Sequence, residues 1–104
     1  MGTTMTETIV RLNGKGQSIG IDDQGSLVVE WYDFGDDAPY ESANMLIFDE
    51  VAQRTLAIAL GHAGTLDARG LATLLSNRFA TYFEIKEFVT SHNLPCERGV
   101  DFMP

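Results

Sequence analysis

The stretch that decides the fold spans residues 42–61 and reads SANMLIFDEVAQRTLAIALG. At about 100° per residue, its apolar side chains fall on one broad arc, whereas Glu50 and Arg54 lie opposite it at i,i+4 spacing. Ser42 is suited to cap the start of a helix, and Gly61 stands where a helix would end. The pattern therefore predicts one long helix that packs on a sheet.

The beginning of this stretch has an alternative interpretation. The apolar run Met45-Leu46-Ile47-Phe48 is equally typical of a strand. In that case residues 43–48 add a fourth strand and the helix begins at Asp49. The apolar run alone leaves both interpretations open.

The residues before this stretch have the pattern of three antiparallel strands. Residues 8–12 and 17–21 alternate in polarity, and short turns rich in Asn, Asp and Gly follow them. Residues 27–34 form the strongest strand, because β-branched and aromatic side chains dominate it. Both of its faces are partly apolar, which indicates either a central strand or a face that a second subunit covers. One face carries Leu27, Val29 and Trp31, and the other carries Val28, Tyr32 and Phe34.

After residue 61 the pattern becomes helical again. Asp67 is suited to cap a short helix through residue 75, and a second helix is expected over residues 80–92, before Pro95 prevents continuation. Residues 99–103 are compatible with one further short strand. We expect a single α+β domain over residues 1–104, with an N-terminal antiparallel sheet of about three strands, one long covering helix and a C-terminal helical pair.

Composition and charge narrow the class of protein. The 104 residues carry a net charge of −8 and 44% hydrophobic residues, which is ordinary for one globular domain. Cys96 is the single cysteine, so no disulfide forms within the chain. Residues 1–5 are expected to be disordered or vector-derived, and the N-terminus lacks the pattern of a secretory signal. No run of residues is long and apolar enough to span a membrane, so a cytoplasmic location is expected.

One pattern in the sequence indicates a function. It lies in residues 67–95, DARGLATLLSNRFATYFEIKEFVTSHNLP. Leu71-Ala72 suit a close crossing of two helices, residues 76–79 suit a short turn, and Tyr82 with Ile85 suit the buried side of a second helix. This stretch resembles the helix-turn-helix of small excisionase-like regulators. The resemblance covers under a third of the chain.

The resemblance implies a non-enzymatic regulator that binds DNA. Cations near the recognition helix would contact phosphates, and polar side chains at its start would lie nearest the base edges. The implied nucleic-acid-binding residues are Arg69, Asn77, Arg78, Thr81 and Lys86.

The alternative function is an acidic module that binds a protein, of the inhibitor, immunity or phosphate-mimic type. Residues 1–66 carry three basic and ten acidic side chains, so the acidity belongs to the first two-thirds of the chain. These acids, beside Trp31 and Tyr32, would suit a basic protein partner. The apolar second face of the strongest strand and Phe83 also predict a homodimer, with Tyr32, Phe34 and Phe83 at its interface.

No residue pattern indicates catalysis. His62, His92 and Cys96 lack a supporting acid or a recognisable motif around them, so we assign them no chemistry. The acidic turns that contain Asp22 and Asp36 lack the alternating ligands and closing Glu of a calcium loop. We therefore expect a protein that is not an enzyme and uses no metal or cofactor.

Overall fold

The computed structural model describes residues 6–13, 16–33, 41–62 and 66–103. The expectation for residues 1–5 and the interface role of Phe34 lie outside these residues, as does the turn around Asp36. The described elements, in chain order, are β1 (Thr6–Arg11), β2 (Gln17–Asp22), β3 (Leu27–Asp33), β4 (Glu41–Phe48), α1 (Glu50–Ala59), α2 (Ala68–Arg78), α3 (Tyr82–Ser91) and β5 (Glu97–Met103).

The strands form one antiparallel sheet in which spatial order follows chain order, from β1 to β5. The three helices are inserted between β4 and β5, and α1 contacts β4, α2 contacts β1 and β2, and α3 contacts β3. All three helices bury apolar side chains in the same cluster as Ile19, Val29 and Phe48. The core therefore lies between one face of the sheet and a layer of helices.

The molecule is α+β, but the predicted architecture is wrong. The described sheet has five strands instead of about three. Residues 43–48 belong to β4, so the expected long helix is replaced by a strand and by α1, which has ten residues. The pair α2 and α3 is not C-terminal, because β5 follows it and pairs with β4.

Residues 43–48 form a strand because the two sides of β4 bury different side chains. Leu46 and Phe48 are 1% and 0% exposed and belong to the core, whereas Met45 and Ile47 lie half-buried on the opposite side of the sheet. Because successive side chains of a strand point to opposite faces, Leu46 and Phe48 lie on one face and Met45 and Ile47 on the other. Asp49 then caps α1, since its Oδ1 accepts a hydrogen bond from the backbone N–H of Ala52 at 2.9 Å.

Side-chain caps define the starts of α2 and α3, and a hydrogen-bonded turn connects β2 to β3. Asp67 and Thr81 cap α2 and α3 through their side-chain oxygens. In the β2–β3 turn, Asp22 Oδ1 accepts from the backbone N–H groups of Gln24 and Ser26, both at 2.9 Å. Gly25 takes a positive φ of 80° there, which a residue with a side chain rarely adopts.

One buried polar contact joins the sheet to α3. Gln17 on β2 is 7% exposed, and its Oε1 accepts a hydrogen bond from the backbone N–H of Tyr82 at 2.6 Å. This N–H belongs to the first turn of α3, where helical hydrogen bonds are missing. Gln17 therefore fixes the start of α3 over β2. Within the described ranges, no helix is long and apolar enough to cross a bilayer.

Candidate functional site

The helical pair α2 and α3 is joined by residues 79–81. Leu71, Ala72 and Leu75 of α2 are fully buried, and Ile85 of α3 is buried in the same cluster. A short connection between two helices that share a core is a property of helix-turn-helix segments. The pair also packs on the sheet, so its inner side belongs to the core of the whole domain.

Three of the five predicted nucleic-acid-binding residues take part in structural contacts. The Arg69 Nη2 lies 2.9 Å from Glu7 Oε2 on β1, in an exposed ion pair. Arg78 Nη1 donates to the carbonyl oxygen of Leu60, at the end of α1, over 3.3 Å. The hydroxyl of Thr81 accepts the N-capping hydrogen bond of α3. The two arginine contacts link the helical pair to β1 and α1.

The other two predicted residues are exposed. Asn77 lies in the last turn of α2, and Lys86 lies on α3. Glu84 and Glu87 are also exposed on α3, so acidic side chains outnumber the lysine on the outer surface of this helix. This excess of negative charge on the outer surface of α3 repels phosphate. The structure thus places Asn77, Arg78 and Thr81 around one turn, with Arg69 more than two helical turns before it.

Of the predicted interface residues, the structure describes Tyr32 and Phe83, which lie on different sides of the sheet. Phe83 is 47% exposed and its ring lies 4.7 Å from that of Trp31, on the helix side of the sheet. Tyr32 is the next residue of β3 and is half-buried on the opposite side, because successive strand residues alternate. Tyr32 and Phe83 therefore face different directions.

The side of the sheet turned away from the helices is called the open face below. Its centre is formed by Val28, Glu30 and Tyr32 on β3 and by Met45 and Ile47 on β4. None of these five side chains belongs to the core cluster that the helices cover, but Val28 is buried, at 4% exposed, and the other four are half-buried. Tyr32, Met45 and Ile47 are the partly exposed apolar side chains of this face.

Glu30 is the charged residue at the centre of the open face. Ser18 and Met45 flank it on the neighbouring strands, and Val28 and Tyr32 flank it along β3. Burial raises the pKa of the Glu30 carboxyl above its usual value of 4.5. Among the described residues, no hydrogen bond or ion pair to its side chain compensates for this loss of solvent.

Replacement of Glu30 by glutamine is expected to raise the free energy of unfolding at neutral pH, by less than about 1 kcal/mol because solvent still reaches the side chain. A raised pKa means that the folded state favours the protonated carboxyl, so stability is lost as pH rises above 4.5. The advantage of the variant should therefore vanish at acidic pH. Thermal unfolding of dilute protein from pH 3 to 8 measures this dependence. An equal advantage at every pH would contradict the assignment.

A cleft of about 550 Å³ is lined by the β2–β3 turn, the end of β4, the start of α1 and the residues that lead into β5. The carboxylates of Asp22, Asp49 and Glu97 line it, together with Ile47 and Cys96, and its described lining contains no lysine, arginine or histidine. We call it the acidic cleft. Ile47 and Glu97 also belong to the open face, so the cleft adjoins that face.

Two of the three carboxylates are held in place by the backbone. Oδ1 of Asp22 and Oδ1 of Asp49 accept backbone hydrogen bonds in a turn and at a helix cap, which fixes their orientation. Glu97 is exposed at the first position of β5. The arrangement presents fixed negative charge and suits a cationic group. Among the described residues, no group of three His, Cys, Asp or Glu side chains is close enough to hold a metal ion.

Sequence reasoning missed the acidic cleft. Its lining comes from three segments, residues 22–26, 47–52 and 95–97, which no local pattern connects. The position of Asp49 could be predicted, because the strand interpretation of residues 43–48 makes it the start of the following helix. Glu97 gave no signal because nothing local shows that β5 pairs with β4.

The residues considered for catalysis lie in different places. His92 ends α3, and its Nδ1 lies 3.0 Å from the carbonyl oxygen of Phe88. Cys96 is half-buried at the acidic cleft, and His62 follows α1. Comparison of the chain with protein families, curated proteins and solved structures gives no match in any of the three. The resemblance to excisionase-like segments stays a prediction.

Proposed function

We propose that this protein is a non-enzymatic module that binds a basic protein through the acidic cleft and the adjoining part of the open face. The observation that carries the proposal is the lining of the cleft, which includes three acidic residues and no described lysine, arginine or histidine. A lysine or arginine of a partner would neutralise this charge. Ile47 supplies the apolar contact next to it.

The charge of the whole chain supports the same class of partner. The net charge of −8 creates a field that attracts basic proteins and raises their association rate. Asp22 and Asp49 are held by backbone hydrogen bonds, so little side-chain entropy is lost when a partner binds. We assign no residue a catalytic role. A cytoplasmic location stays a prediction.

The test uses a charge reversal at Glu97, whose side chain is exposed and makes no described hydrogen bond. Glu97→Lys is expected to weaken partner binding at least about tenfold, because like charges then meet across the interface. Binding is measured by affinity capture from a lysate of the source cells with cross-linking and mass spectrometry, followed by titration of the captured protein.

The matched control is Glu87→Lys, the same charge change on the outer surface of α3. This variant should bind like the unmodified chain, because Glu87 lies outside the acidic cleft. Equal binding by all three proteins, or equal weakening by both substitutions, would refute the cleft as the site. Binding through the cleft should also weaken with added salt.

A second candidate is nucleic-acid binding by residues 67–95. One observation favours it, the short connection between α2 and α3 over a shared core. The exposed Glu84 and Glu87 on α3 weigh against phosphate contact. Retention of the chain on duplex DNA at low salt is the decisive measurement.

A further inference from the structure

The side chain of Gln53 on α1 joins two segments that line the acidic cleft. Its Nε2 donates a hydrogen bond to the carbonyl oxygen of Gly25 in the β2–β3 turn at 3.0 Å. The same nitrogen donates to the carbonyl oxygen of Phe48 at the end of β4 at 2.9 Å. Both hydrogens of the amide group are therefore used to hold the turn against β4 and the start of α1.

Each acceptor lies beside an aspartate of the cleft. Asp22 belongs to the same turn as Gly25, and its Oδ1 accepts two backbone hydrogen bonds of that turn. Its carbonyl oxygen also accepts a hydrogen bond from the backbone N–H of Gly25 at 3.1 Å. Asp49 directly follows Phe48 in the chain. A contact that fixes Gly25 against Phe48 therefore also fixes the carboxylate of Asp22 relative to that of Asp49.

Sheet pairing alone does not hold the turn in this way. The described pairs between β2 and β3 end at Ile21 and Leu27, so residues 23–26 lie beyond the last of them. Gly25 takes its positive φ at the tip of this turn. Among the described residues, the side chain of Gln53 is the group that joins this tip to a helix.

We infer that Gln53 is the positioning residue of the acidic cleft, because its amide sets how the turn that carries Asp22 stands against Asp49. This role rests on the proposed function, since the affinity for the partner's cation is the property that depends on the arrangement. Gln53 does not belong to the described lining of the cleft and instead lines a separate groove, beside Ala57 and Leu66. It therefore acts on the partner through the two aspartates, without contacting it.

Few side chains can meet both acceptors. The position needs one group with two N–H donors and enough reach to span from α1 to the turn, and glutamine provides both. Asparagine carries the same amide on a shorter side chain, and methionine has a similar length without a donor. Gln53→Asn and Gln53→Met therefore remove the two contacts for different reasons, and neither variant adds a charge near the cleft.

The experiment compares the unmodified full chain with these two variants. Nitrogen-15 relaxation of the free proteins measures the order of the turn, and the backbone amides of Gln24 and Gly25 should become more mobile in both variants. Titration with a synthetic oligolysine peptide then measures cation binding. The affinity for the peptide should fall about fivefold in both variants, because the turn must be ordered again when the peptide binds.

Ile85→Val is the matched control, because this fully buried residue of α3 contributes to stability but does not line the cleft. It should leave the order of the turn and the affinity for the peptide unchanged. If the peptide binds in the cleft and Gln53→Met changes neither the mobility of the turn nor the affinity, the positioning role is overturned. Failure of the unmodified chain to bind oligolysine, or binding that Glu97→Lys leaves intact, would instead refute the cleft itself and the role of Gln53 with it.

Discussion

Phe48→Ala is expected to lower the free energy of unfolding by about 3–5 kcal/mol. Phe48 is fully buried at the end of β4 and belongs to the cluster that α1 covers with Leu56. Removal of the ring leaves a cavity between sheet and helix that the surrounding side chains fill only in part. Since a domain of this size has a total stability of roughly 5–15 kcal/mol, the variant should be largely destabilised. Urea unfolding followed by circular dichroism gives the value.

The matched control is Phe83→Ala, at the phenylalanine on α3 that is 47% exposed. Phe83→Ala makes the same chemical change but removes mainly the contact of the ring with Trp31. Its free energy of unfolding should therefore fall by less than about 2 kcal/mol. Equal losses for the two variants would show that Phe48 is not in the core and that β4 is placed wrongly.

Gln17→Met is expected to lower the free energy of unfolding by about 1–3 kcal/mol, although methionine has a similar length and greater hydrophobicity. The side chain of Gln17 provides the acceptor for the backbone N–H of Tyr82, and both groups are buried. Methionine leaves that N–H without a comparable acceptor. Amide hydrogen exchange at Tyr82 should accelerate, which separates this effect from a general loss of packing.

Gln24→Met in the β2–β3 turn tests the substitution at an exposed position. The side chain of Gln24 makes no described hydrogen bond, so the change in stability should stay within about 0.5 kcal/mol. If Gln17→Met were as stable as Gln24→Met, the buried hydrogen bond would contribute nothing measurable.

The sequence predicted the α+β class and the strands before residue 34, because their alternation and turn residues are local signals. It failed at residues 43–48 for a physical reason. Met45 and Ile47 are apolar although they face away from the core, so the run lacks the alternation that identifies a half-buried strand. The same side chains happen to extend the apolar arc of α1.

For the last strand, the sequence indicated a short strand only over residues 99–103, whereas β5 begins at Glu97. Residues 97–103, ERGVDFM, include three charged residues and a glycine, which are poor signals for a strand. Backbone pairing with β4 holds this strand in the sheet, and that pairing depends on chain topology. The site residues Arg69 and Arg78 show the same limit, because their partners Glu7 and Leu60 are distant in sequence.

The order of the strands has a consequence for when the acidic cleft forms. The first four strands follow one another through short connections, whereas Ile47 meets Glu97 only after all three helices have been traversed. Contacts between residues so far apart in sequence tend to form late, so docking of β5 is expected to be among the last steps of folding. Since Ile47, Cys96 and Glu97 line the cleft, it is complete only in chains whose loop is closed. A partner bound in the proposed site would therefore stabilise the chain with β5 docked and protect β5 against local unfolding.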